Sequence, residues 1–232
     1  MRINIFLRKI KRLFDFLIGD KSDEIYWRYR SFFSSNWRKS YLDTANKIHP
    51  HRKLLLEKII KEKPISSILE IDCADGINLR LINNIMPRII LEGIDINKKA
   101  LNEGINILNI KNIKNIKNIK LKHHSVKDLS LYKDKEFDVV FSDAVLMYID
   151  KNNIKKVIDE MFRVSKKLLI FCEQHTDKKS FYNDKWVHNY DYFIKDIPGI
   201  KSVIFNSISD NIWGGDWNKY GKIIEIKKIT ND

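Results

Sequence analysis

The sequence predicts an α/β fold, with a mostly parallel sheet covered by helices on both faces and an N-terminal helical cap. Three observations carry this reading. From Pro64 to Glu173, near-continuous apolar runs alternate with helix-period segments, the pattern of strands buried on both faces and joined by crossover helices. The stretch S-I-L-E-I-D-C-A-D-G-I-N, starting at Ser67, reads as a strand, a small-residue turn and a helix start. A second strand then ends on Asp95, about 20 residues beyond the turn, where a Rossmann-like unit places the carboxylate that binds an adenosine ribose.

Length and composition set the frame. The 232 residues fit one α/β domain over 64–232, preceded by a helical extension over 1–63. A 44% hydrophobic fraction supplies a core. Cys73 and Cys172 fall inside predicted buried strands, which points to core thiols of a reduced, cytoplasmic protein rather than a disulfide. No apolar run reaches the roughly 18 residues a spanning helix needs. Asp15 interrupts the apolar part of the basic N-terminus and no small-residue cleavage site follows, so no cleaved signal peptide is expected. The net charge of +13 invites a nucleic-acid reading. However, many lysines sit in simple runs such as I-K-N-I-K-N-I-K between Ile110 and Lys120, and others are spread over every predicted helix. This is a solvated basic surface, and no specific nucleic-acid partner is expected.

The elements follow in order. Ile3 to Leu17 reads as an amphipathic basic helix, with Ile3, Phe6, Leu7, Ile10, Leu13, Phe14 and Leu17 on one side and Arg8, Lys11, Arg12 and Asp15 on the other. Three readings stand for it: a lid or packing helix over the main domain, one lying peripherally on an anionic membrane surface, or a partner-binding helix. Asp23 to Asn36 is dense in aromatics and reads as helix. His49 to Lys63 is another helix, closed by Pro64. Strands are expected at Ser67–Cys73, Ile89–Asp95, Asn118–Ser125, Phe137–Asp143 and Lys167–Glu173, with helices at Asn78–Asn84, Asn97–Leu108 and Asn152–Val164. The triplet run between Ile110 and Lys120 fits neither period and reads as a connector. Lys201–Asn206 and Gly221–Lys228 read as strands flanking a Gly- and Trp-rich loop, a closing pair with one antiparallel member.

Four segments then occur in a telling order: I-L-E-I-D-C-A-D-G-I-N, L-E-G-I-D-I-N-K-K-A-L, H-H-S-V-K-D-L and E-F-D-V-V-F-S-D-A-V-L-M-Y-I. In this order and spacing the chain resembles the class I S-adenosylmethionine-dependent methyltransferases, loosely those acting on small molecules. The resemblance covers about Ser67 to Glu173 and, weakly, the two C-terminal strands. It implies a seven-stranded sheet whose last hairpin is reversed, with S-adenosyl-L-methionine across the C-terminal strand ends. Glu70 would steady the turn and the positive methionine end. The backbone of Ala74 and Gly76 would approach the cofactor, and Asp95 would accept both ribose hydroxyls. Ile96 would pack on the adenine, Ser125 and Val126 would border its edge, and Asp143 would close the site below the methionine moiety. Two departures stand out. Where the family turn reads acid-x-Gly-x-Gly-x-Gly, Asp72 and Ala74 replace the first two glycines. An alanine is tolerated there if its φ stays negative; a carboxylate at Asp72 could face the cofactor's carboxylate or pair with its ammonium. Ser125 stands where an acid usually bonds the adenine amine. The nicotinamide G-x-G-x-x-G and the phosphate-binding G-x-x-x-x-G-K-[ST] are both absent.

The acceptor is less legible. The [DNS]-P-P-[YF] signature of base and glutamine nitrogen methylation is missing from S-D-A-V. After the fifth strand, His175 and His188 are the candidate general bases, with Glu173 orienting them. Tyr26, Trp27, Trp213 and Trp217 either wall the acceptor pocket or pack in the core. Cys172, His175 and His188 match no closed zinc pattern, so no metal is expected. The expected activity is methyl transfer to an oxygen or nitrogen of a small or glycan-like metabolite. A non-catalytic scaffold and an RNA or protein methyltransferase are the alternatives.

Overall fold

In the computed structural model the described residues are 25–28, 49–110, 118–182, 185–209 and 212–230. The expected helix over Ile3–Leu17, most of Asp23–Asn36 and most of the triplet connector lie outside them. The strands are β1 (Ser67–Ile71), β2 (Ile90–Asp95), β3 (Ile119–His123), β4 (Phe137–Asp143), β5 (Ser165–Gln174), β6 (Phe181–Tyr182), β7 (Trp186–Val187), β8 (Ile200–Ser207) and β9 (Gly221–Lys228). The helices are α1 (Pro50–Lys61), α2 (Ile77–Ile85), α3 (Lys98–Ile110), α4 (Ile154–Val164), α5 (Tyr190–Ile194) and α6 (Asp216–Tyr220). Residues 25–28 are also helical.

One seven-stranded sheet runs β3–β2–β1–β4–β5–β9–β8. The first five strands are mutually parallel, and β9 is antiparallel to both neighbours. This is the closing pair with one reversed member that the tail predicted.

Strand pleating explains how each run serves two layers. Leu69, Val140, Leu169 and Phe171 join one apolar cluster with Val157, Ile158 and Met161 of α4 and with Tyr190. Their sequence neighbours Ile68, Val139 and Ile170, together with Phe141 and Cys172, join the other, under Leu55 and Ile59 of α1 and Leu79 and Ile82 of α2. Helix α4 forms because Ile154, Val157, Ile158 and Met161 fall on one stripe, and all four are buried. Helix α1 starts where Pro50 follows an N-cap, His49. It is tied over the reversed strand by Lys58 to Glu225 and Lys227 to Glu62, both at 2.6 Å. Helices α5 and α6, the β6–β7 hairpin and a 3₁₀ turn at Leu146–Tyr148 were not anticipated; each is too short to show a period.

Gly93 in β2 has a packing reason. A β-carbon there would sit 2.5 Å from the Cys73 sulfur and 2.8 Å from Leu79, so the glycine lets α2 and the preceding turn close on the sheet. Gly93→Ala is expected to destabilise the fold by about 1–3 kcal/mol through overpacking, read from the urea unfolding midpoint.

Candidate functional site

The sheet order reverses between β1 and β4, and parallel α/β sheets bind ligands outside the strand ends at such a point. Three strand ends build the site here.

The turn after β1 coils tightly. Asp72, Ala74 and Gly76 all have left-handed backbones, with φ of 49°, 51° and 71°. These are the three positions where the family motif carries glycine. The condition set for an alanine here, a negative φ, is not met, and the Ala74 methyl group stands in a region L-residues avoid at roughly 1–2 kcal/mol. The end of β2 secures the turn. The Ala74 N–H donates to Asp95 Oδ2 at 2.7 Å, and the Asn97 N–H donates to Asp95 Oδ1 at 2.6 Å. Each oxygen keeps a further lone pair for a ligand. Burial raises the Asp95 pKa to about 6, although these two N–H groups oppose the shift.

A buried polar cluster lies across the turn. Asn78 of α2 donates to Glu70 Oε1 at 2.7 Å and to Asp143 Oδ2 at 3.0 Å. Asp143 Oδ2 also faces His51 Nε2 at 3.1 Å and accepts from Arg52 at 3.2 Å. Arg52 bonds the Asn78 carbonyl oxygen as well. Burial opposes ionisation of Asp143, but His51, Arg52 and Asn78 outweigh it and hold its pKa well below the usual carboxylate range. Glu70 goes the other way: burial pushes its pKa up to about 8. Its second oxygen, Oε2, is buried without a hydrogen-bond partner, a costly state for an anion that a bound cation would relieve.

These groups surround a cavity of about 300 Å³. Glu70, Asp72, Ala74, Asp95, Ile96, Ser125, Val126 and Asp143 all line it. Gly76 does not; it sits behind the wall as the left-handed N-cap of α2, where a β-carbon would lie 2.9 Å from Leu121.

The expected bases are elsewhere. His175, Glu173 and His188 are buried and outside the cavity lining. His175 Nδ1 accepts from the Tyr190 N–H at 3.2 Å and its Nε2 lies 3.0 Å from Asp177. His188 Nε2 lies 2.9 Å from the Ile149 carbonyl, and burial lowers its pKa to about 4. Glu173 accepts from the Ser142 hydroxyl at 3.0 Å and from the N–H groups of Val145 and Leu146 at 2.9 Å. It therefore anchors the 3₁₀ turn rather than orienting a histidine. The physical reason is that β5 ends at Gln174 and an isolated bridge just beyond it pairs His175 with His188, with both rings buried outside the cavity lining.

Sequence reasoning missed His49, His51 and Arg52, which line the cavity together with Asn78 and Tyr148. The available signal was H-P-H-R at a helix start, since Pro at N1 fixes the N-cap and puts the next side chains in the first turn. The aromatics divide. Trp27 and Trp213 line the cavity, whereas Trp217 stacks behind Trp213 at 3.9 Å and Tyr26 packs edge-on against Trp27 at 5.3 Å.

Two outcomes test this geometry. Ala74→Gly removes the strained methyl group and is expected to stabilise the fold by about 1 kcal/mol, measured by thermal unfolding. Glu70 titrates near 4.5 unfolded and near 8 folded. The folded state thus holds the extra proton, and stability falls as pH rises through that window. Glu70→Gln should make the decline shallower between pH 4.5 and 8 in urea titrations.

Comparison with known proteins agrees with this geometry. Residues 63–228 match the family model described as a methyltransferase domain. No curated protein sequence matches the chain significantly. Among solved structures, the magnesium protoporphyrin IX methyltransferase of Synechocystis PCC 6803 with bound SAM is similar, with a TM-score of 0.63 and 14% identity over 88% of this chain and 94% of that one. The plantazolicin methyltransferase BpumL, in complex with a desmethyl plantazolicin analog and SAH, gives a TM-score of 0.59 and 17% identity over 90% of this chain and 98% of that one. The [4+2]-cyclase SpnF gives a TM-score of 0.57 and 13% identity over 77% and 81%. With its match spanning the whole sheet and its cavity at the switch point, the chain belongs to the methyltransferase-domain family, in its class I S-adenosylmethionine-dependent form.

Proposed function

We propose that the chain transfers a methyl group from S-adenosylmethionine to an oxygen or nitrogen of a small or glycan-like metabolite. The fold does not fix the reaction by itself, since a cyclase shares it. The observation that carries the reading is the set of three carboxylates around one cavity, Glu70 and Asp95 on buried residues and Asp143 with its side chain buried.

The residues fit the cofactor group by group. Asp95 offers two oxygens in one plane, suited to a vicinal diol. Ile96 and Val126 supply apolar walls for a flat base, and Ser125 supplies a hydroxyl at its edge. The unpaired Glu70 oxygen and the ionised Asp143 favour a cationic amino-acid end. When bound, the cofactor supplies an electrophilic methyl group on a sulfonium. The protein's part is to align the acceptor in line with that methyl group, exclude water and remove a proton where one must leave.

A small acceptor suits a cavity of about 300 Å³. No described helix is long and apolar enough to cross a membrane. Both cysteines are free and buried, which supports a reducing compartment such as the cytoplasm.

Calorimetric titration with S-adenosylmethionine and S-adenosylhomocysteine is expected to give micromolar binding. Asp95→Ala should weaken it about 100-fold, the loss of two charge-assisted hydrogen bonds. Unchanged affinity in that variant, at an unaltered melting temperature, removes the ribose assignment. Absence of binding by the wild-type chain favours a scaffold role.

A further inference from the structure

Resting on the methyl-transfer reading of the cavity, we propose that the first turn of α1 binds a carboxylate of the acceptor, that His49 holds it by donating from Nε2, and that the product is a methyl ester.

Hydrogen-bond roles fix the protons of the two cavity imidazoles. His49 is the N-cap of α1, and its Nδ1 accepts from the His51 backbone N–H at 3.4 Å. His51 Nδ1 lies 2.6 Å from the same atom. Two bare nitrogens repel at that distance, so His51 Nδ1 carries a proton and donates it to His49. On its other edge, His51 Nε2 faces Asp143 Oδ2 at 3.1 Å. An ionised carboxylate only accepts, so this nitrogen carries a proton too. His51 is therefore an imidazolium bridged between Asp143 and His49. Burial, joined by His51 and Arg52, lowers the His49 pKa and keeps that ring neutral. A neutral imidazole that accepts on Nδ1 carries its one proton on Nε2. His49 is partly exposed and lines the cavity, where Nε2 offers a donor.

Charge on this side is unbalanced. His51 and Arg52 both meet Asp143, so two cations face one anion. Arg52 is 7% exposed and lines the cavity, and its Nε is buried without a hydrogen-bond partner. The other acidic lining residues, Glu70, Asp72 and Asp95, lie at the first two strand ends, on the side read as the cofactor's, and Lys127 follows β3. Trp27, Tyr148 and Trp213 add flat walls, with Trp213 stacked on His51 at 3.9 Å. A surplus cation, an orphan donor and a neutral donor beside aromatic rings fit an organic anion.

A wall that donates says what the acceptor is. An alcohol must lose its proton as the new bond forms. Among the described imidazoles and carboxylates of this side, none is placed to take one. His51 is a cation, His49 donates, and Asp143 is held ionised far below neutrality, which makes it a weak base. An amine attacks without a base but leaves the surplus charge unmatched. A carboxylate arrives deprotonated and matches it. One of its oxygens accepts from His49 Nε2 and the other attacks. The attacking oxygen bonds the methyl carbon while the carbon–sulfur bond breaks and its electron pair stays on sulfur. Carboxylate and sulfonium become a neutral ester and a neutral thioether, with no proton to place. A cavity screened from water favours such a mutual loss of charge.

The test uses the full chain loaded with S-adenosylhomocysteine. Nitrogen-15 NMR of labelled histidines is expected to show His51 protonated on both nitrogens, and His49 protonated on Nε2 and bare on Nδ1. A neutral His51, or a bare His49 Nε2, overturns the assignment of the donor. Benzoate is the binding probe, with benzyl alcohol and benzamide as neutral controls. Calorimetry should give benzoate about 10-fold tighter binding than either control, the worth of one charge-assisted hydrogen bond. His49→Asn keeps an N-cap acceptor. It should bind S-adenosylhomocysteine within a few-fold of wild type and lose most of the preference for benzoate. No preference in the wild-type chain, the outcome if the cofactor's own carboxylate occupies Arg52, overturns the anion site, and so does an undiminished preference in His49→Asn. For the acceptor, methyl-¹³C S-adenosylmethionine is incubated with the protein-free small-molecule extract of the source cells. Labelled methanol released from the product by mild alkali supports the ester. A labelled methyl ether or N-methyl product stable to alkali, or no product despite cofactor binding, overturns it. Failure of the wild-type chain to bind S-adenosylmethionine or S-adenosylhomocysteine instead overturns the underlying reading, while the histidine protons, read again on the unloaded chain, report on the donor independently.

Discussion

One carboxylate joins two of the strand ends that build the cavity. Asp95 ends β2, and its two oxygens hold the N–H of Ala74 in the turn after β1 and the N–H of Asn97 at the start of α3. Three left-handed residues in the space of five would splay an isolated loop. They hold here because the turn is fastened at both ends: the Cys73 N–H donates to the Ile94 carbonyl at 2.9 Å, and Ala74 is pinned by Asp95. The close approach of α2 to the sheet, allowed by Gly93, follows from the same fastening.

Around this clamp, burial and charge act in opposition. Glu70 and Asp143 lie in one polar cluster, bridged by the Asn78 amide. One is driven toward its neutral form by desolvation and the other is kept anionic by His51 and Arg52. A buried charge that is paired costs far less than one left alone. The cluster thus holds one anion paired with cations and one carboxyl bonded by an amide, and each keeps one buried oxygen without a hydrogen-bond partner. Such an asymmetry suits a site that takes up a positive group and releases a neutral one.

The sheet was legible because its strands are long, apolar and separated by helices with a clear period. The limits of β4 and β9 coincide with those read from the pattern. The convergence of the motif residues on one cavity was legible because strand-end residues meet wherever parallel strands end together. The left-handed backbone at Ala74 was not, since an alanine gives no sign of positive φ. The candidate bases do not meet the cavity, for a topological reason. His175 and His188 follow β5 in sequence, but an isolated bridge between them draws both into the interior, outside the cavity lining. His51 reaches Asp143 across 92 positions of chain, and no local pattern reports a contact of that range. The N-cap geometry of H-P-H-R was the nearest clue.

The stack of Trp217, Trp213 and His51 brings α6, just before the last strand, against the first turn of α1, which precedes the first strand. Such distant contacts form slowly, because long loops must close before they are rewarded. During synthesis the parallel strands emerge well before β9, which must slot between β5 and β8. The nascent chain therefore has the carboxylate-lined wall of its cavity in hand first and its imidazole-bearing roof last. A ribosome-bound chain that has not yet released residues 213–228 has the carboxylates of the cavity in sequence but not the stack that covers them.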